Sequence, residues 1–91
     1  MTVTKRLLIS GRVQGVGFRF YMEHKARQHG ISGWVRNRRD GTVEAMIQGA
    51  TAAVEAMIHS AQNGPRGAVV THVQITEGSG DYTTFEVRPT E

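Results

Sequence analysis

The sequence predicts an α+β fold in which one mainly antiparallel sheet carries two helices on one face. Apolar residues alternate over short runs near 5–10, 31–36, 43–47 and 69–76, whereas 18–29 and 51–63 carry them at helical spacing. These segments follow one another as β-α-β-β-α-β, with a small strand added at the end. With 91 residues there is room for one modest two-layer core, so a single domain over 1–91 is expected.

Each element has its own justification. In 5–10, Leu7 and Ile9 take one face and Leu8 the other, as in a central strand with both faces partly covered. In 18–29, Phe18, Met22 and Ala26 recur every fourth residue, and Gly30 stands where a left-handed cap closes a helix. In 31–36, Ile31, Gly33 and Val35 oppose Ser32, Trp34 and Arg36; the pair Asp40-Gly41 then signals a hairpin into Val43, Ala45 and Ile47. Val54, Met57, Ile58 and Ala61 share one face of the second helix, which Gly64-Pro65 ends. Val69, Thr71, Val73 and Ile75 alternate with Val70, His72, Gln74 and Thr76, and a flexible turn at 77–81 precedes a last strand with Phe85 and Val87. This is the split β-α-β order of ferredoxin-like folds.

Composition excludes several classes. The 38% hydrophobic and 21% charged content is that of a folded soluble chain, and no apolar run approaches the ~20 residues of a membrane span. No signal peptide pattern opens the sequence, so a cytoplasmic protein without membrane contact is expected. Zero cysteines exclude a disulfide framework, a thiolate nucleophile and a cysteine zinc site. The net charge of +3 suits a small anionic ligand and is modest for wrapping nucleic acid.

The residues richest in chemistry are Gly11 to Arg19, where a strand breaks into glycines and restarts as a helix with a cation in its first turn. Unpaired N–H groups at a helix start and the positive end of its dipole favour an anion, and a guanidinium suits phosphate oxygens. Neither familiar nucleotide loop fits. The lysine and hydroxyl of a Walker loop are missing, and Phe20 stands where a dinucleotide fingerprint needs its third glycine.

This stretch, with Gly33-Trp34-Val35-Arg36-Asn37 and Asp40-Gly41-Thr42-Val43-Glu44, closely resembles the acylphosphatase family, and the likeness runs on to Tyr82-Thr83-Thr84-Phe85. The resemblance implies a ferredoxin-like fold and hydrolysis of an acyl phosphate to a carboxylate and inorganic phosphate, without metal, cofactor or covalent phosphoenzyme. It implies that Arg19 binds the phosphate, that Asn37 orients the attacking water, and that the amides of Val13, Gln14, Gly15, Val16, Gly17 and Phe18 cradle the phosphoryl group. Arg38 stands where the animal members usually carry threonine or serine. Physically, an acyl phosphate has a good leaving group, so holding it and placing a water in line suffices. Asn37 cannot act as a base and fits only a positioning role.

Rival readings are a non-catalytic phosphate-binding module, a piece of a larger carbamoyl-phosphate-handling enzyme, and a nucleic-acid-binding module. RNA-recognition domains share the layout but stack bases on aromatics in their first and third strands, where this chain has none. A free-standing monomeric enzyme without nucleic acid is expected. Trp34 reads as a packing residue and Tyr82 and Phe85 as closing the sheet edge. The four histidines lack metal spacing and read as surface residues, and Arg36, Arg38 and Arg39 read as a solvated basic hairpin.

Overall fold

A computed structural model describes residues 1–91. The elements run β1 (Thr2–Arg12), α1 (Phe18–His29), β2 (Ser32–Asn37), β3 (Val43–Ala50), α2 (Thr51–Asn63), β4 (Val69–Glu77) and β5 (Phe85–Val87). The sheet order is β4-β1-β3-β2-β5. Strands β1 and β4, β1 and β3, and β2 and β3 pair antiparallel, and β5 alone joins in parallel, against β2. Insertion of β3 between β1 and β2 is the split β-α-β arrangement expected of a ferredoxin-like fold.

Both helices have the predicted limits because their stop signals are local. Gly30 caps α1 in the left-handed conformation with its N–H on Ala26, and Gly64 donates to Ser60 at the end of α2. Strand limits differ more. β1 reaches from Thr2 to Arg12, beyond the apolar run at 5–10, because Thr2 and Thr4 pair with Ala50 and Gln48 and Arg12 pairs with Val69. Backbone pairing with distant strands sets those ends, and side-chain alternation does not report it.

Strand alternation sorts the side chains into two faces. Leu7, Ile9, Val35, Val43, Ala45 and Ile47 are enclosed against Phe18, Met22 and Ala26 of α1 and Val54, Met57 and Ala61 of α2. Each large apolar side chain enclosed in this way contributes about 1.5–3 kcal/mol relative to exposure. The helices are also joined by Tyr21, whose hydroxyl donates to the Ser60 carbonyl at 2.8 Å.

The opposite face carries Arg6, Trp34, Arg36, Glu44 and Gln48. Since β4 and β5 lie at opposite edges, the chain between them must cross the sheet. Gln48 holds that crossing: its Nε2 donates to Gly80 O at 2.7 Å and its Oε1 accepts from Tyr82 N at 3.0 Å. Tyr82 therefore serves the crossing, while Phe85 is buried in the core. After β5 the chain follows β2 to its end, with Arg88 N donating to Val35 O and Glu91 N to Asn37 O.

Candidate active site

Residues 13–17 connect β1 to α1 with no regular hydrogen bonding. Val13 and Phe18, 1% and 2% exposed, anchor the two ends in the core, so these residues offer a ligand only their backbone. Gly15 and Gly17 lie at φ 74° and 76°, and an added Cβ at either would meet nothing within 4 Å. Glycine is therefore required by the left-handed backbone and not by crowding. Alternation of such residues turns successive N–H groups into one concavity.

Those donors are unused. The first helical bond is Tyr21 N to Gly17 O, and no N–H from Gln14 through Phe20 donates to any carbonyl. The first turn of α1 holds no acidic residue, and no side chain caps it. An array of free donors at the positive end of a helix dipole favours a compact anion.

Arg19 rises from this turn, half-buried and outside every ion pair. Asn37 ends β2, opposite Val43, so it projects to the helix-bearing face at the same end of the sheet as the loop. Its side chain makes no hydrogen bond within the chain. Gln14 links the two parts: its Nε2 donates to Arg38 O at 2.7 Å and to Thr42 O at 2.9 Å. The side chain of Gln14 thus belongs to the hairpin beyond Asn37, a role that the sequence does not signal.

The hairpin itself closes with Arg38 N on Thr42 O and Gly41 N on Arg38 O, the turn expected around Asp40-Gly41. The Thr42 hydroxyl and amide both donate to Asp40, and they hold its carboxyl below the ordinary aspartate range.

The basic residues of the hairpin depart from the expected solvated cluster. Only Arg39 is exposed. Arg36 and Arg38 turn to the face away from the helices and meet Glu44, whose side chain is 5% exposed: Arg36 Nε lies 2.8 Å and Arg38 Nη1 3.4 Å from Oε1, and Arg6 Nε lies 2.7 Å from Oε2. Burial raises the pKa of this carboxyl, but the hydrogen bonds from Arg36 and Arg6 outweigh it and leave the group below the ordinary glutamate range. Trp34 is a packing residue, as expected, though its cover is cationic. The guanidiniums of Arg36 and Arg88 each lie 4.8 Å from its ring centroid.

A cleft of about 470 Å³ lies elsewhere, beside Arg27, Ser32 and Thr84 at the opposite end of β2. It contains none of the loop residues, Arg19 or Asn37. The histidines are all exposed, as expected, and no helix is long and apolar enough to cross a membrane.

A ferredoxin-like domain whose first helix opens on a loop of free amides is the class that this fold and site define. Residues 5–87 match the acylphosphatase family model. The chain is 53% identical over 83 residues to an acylphosphatase of Synechococcus sp., covering 90% of this chain and 88% of that one. It is 49% identical over 86 residues to one of Albidiferax ferrireducens, covering 94% of each. Among solved structures, the acylphosphatase from Bacillus subtilis superposes with a TM-score of 0.90 at 33% identity, covering 97% of this chain and 99% of that one. The chain belongs to the acylphosphatase family, and its activity is hydrolysis of acyl phosphates.

Proposed function

We propose that the chain performs this hydrolysis with the 13–18 loop and Arg19 holding the phosphoryl group and Asn37 placing the water. The observation that carries the proposal is the uninterrupted set of free N–H donors from Gln14 to Phe20 at the start of α1. Fixed dipoles of this kind stabilise charge on the equatorial phosphoryl oxygens without reorganising during the reaction. The Asn37 amide, free of intrachain bonds, accepts from a water and aims it at phosphorus. The water oxygen bonds to phosphorus as the bond from phosphorus to the acyl oxygen breaks. The carboxylate leaves, and the water proton passes to a phosphate oxygen, yielding inorganic phosphate.

Every one of these groups comes from one chain, which supports a single-domain monomer as the working unit. The nucleic-acid reading loses support at the open sheet face, where the aromatic Trp34 is 6% exposed under two guanidiniums and presents no free ring for a base.

Kinetics on benzoyl phosphate and acetyl phosphate test the roles. Arg19→Gln should lower kcat/KM about 10²- to 10³-fold and weaken inhibition by inorganic phosphate. Asn37→Ala should lower kcat by about 10²-fold or more while phosphate inhibition stays near the parent's. Normal turnover in Asn37→Ala would refute the water-positioning role, and unchanged phosphate inhibition in Arg19→Gln would refute the binding role.

A further inference from the structure

The buried carboxylate of Glu44 has no part in the chemistry above, yet its partners bracket the residue that does. We infer that Glu44 is a positioning residue that fixes Asn37 for its water by anchoring the neighbours on either side, Arg36 and Arg38. The inference rests on the water-positioning role of Asn37 and extends it.

Three observations support it. The Asn37 side chain has no intrachain hydrogen bond, so its aim depends on where its backbone is held. Asn37 is also the last residue of β2, paired with Val43 and accepting from Glu91 N, and beyond it the chain leaves the sheet for the hairpin turn. Glu44 Oε1 meets Arg36 at 2.8 Å and Arg38 at 3.4 Å, tying down the residue before and the residue after Asn37.

Stability alone explains the cluster poorly. One carboxylate faces three guanidiniums, with Asp40 the only further acid near Arg38, 3.8 Å away. Buried ion pairs of this kind are commonly replaced by apolar side chains without loss of stability. What apolar packing cannot supply is a directed bond on each side of Asn37. A displacement of about 1 Å at a reacting group can cost about 10²-fold in rate.

Glu44→Gln, Arg36→Met, Arg6→Met and Asn37→Ala, assayed together for kcat, KM and phosphate inhibition, test the inference. Glu44→Gln should lower kcat about ten- to a hundredfold with KM and phosphate inhibition unchanged, and Arg36→Met should lower kcat in the same pattern to a smaller extent. Arg6→Met removes a partner of the same carboxylate without touching a neighbour of Asn37. It should lower the denaturation midpoint and leave kcat within about twofold of the parent. An unchanged kcat in Glu44→Gln, or an equal fall in Arg6→Met, would overturn the inference. Should Glu44→Gln fail to fold, Arg36→Met decides alone, and an unchanged kcat there has the same meaning. Full turnover in Asn37→Ala would instead remove the water-positioning role beneath it, whereas loss there with intact kcat in Glu44→Gln removes only the role of Glu44.

Discussion

Replacing Gln14 probes the one direct link between the phosphate loop and the hairpin. Its amide donates to two carbonyls, Arg38 O at 2.7 Å and Thr42 O at 2.9 Å. Each such bond has a net worth of about 0.5–1.5 kcal/mol, so the pair is worth about 1–3 kcal/mol. Neither carbonyl is orphaned by Gln14→Met, since Arg38 O keeps Gly41 N and Thr42 O keeps Arg38 N. The methionine also preserves length and volume, which places the expected loss near the lower end, about 1–2 kcal/mol. Gln14→Glu has the same shape but sets a carboxylate against two carbonyl oxygens and beside the anion loop, so it should be the worse of the two. With a urea m-value of about 1–3 kcal/mol/M, the methionine variant should unfold about 0.3–2 M earlier and the glutamate variant earlier still. Because loop and hairpin are then uncoupled, kcat and phosphate inhibition should both deteriorate, by about tenfold each. A glutamate variant no less stable than the methionine variant, or parental midpoint and rate in both, would refute the link.

Two further expectations concern the scaffold. Gly33→Ala should destabilise by about 3 kcal/mol or more, since at φ 136° its Cβ would overlap the Met46 carbonyl, whereas Gly41→Ala, at φ 93° in open space, should cost about 1–2 kcal/mol; equal thermal shifts would contradict this. Glu44 predicts an acid limit: its folded pKa lies below its unfolded value, so its contribution is present above the ordinary glutamate range near pH ~4 and disappears as pH falls through the lower folded value, and urea midpoints between pH 3 and 6 should show a decline that is flattened in Glu44→Gln.

What the sequence made legible divides by range. Helix limits followed from Gly30 and Gly64, which act within a turn of where they stand. Alternation identified the core face of β1, β2 and β3 but not of β4, where a bulge opposite Ser10 and Gly11 shifts the register so that Val73 and Val70 both pack on the core while Val69 is exposed. Glycine spacing marked the loop as an anion site. The resemblance supplied Arg19 and Asn37. The role of Gln14 was hidden because its partners lie across a gap of more than twenty residues. The Glu44 cluster was half accessible: a hairpin turning at Asp40-Gly41 sets Arg36 opposite Glu44, a cross-strand pair that register alone predicts. Arg6 was not, since only the assembled sheet brings β1 beside β3.

The same alternation explains where the arginine at position 38 lies. Arg36 and Arg38 both send their side chains to the face that carries Glu44, while Asn37 between them faces the helices. Position 38 reaches the site through its carbonyl, which receives the Gln14 amide, and through its N–H, which closes the hairpin on Thr42. A hydroxyl there would leave both backbone bonds unchanged and would give up the contact with Glu44. The arginine therefore adds a contact with Glu44 on the face away from the helices, and under the proposed mechanism the helix-bearing face is left to the asparagine, the loop and the substrate.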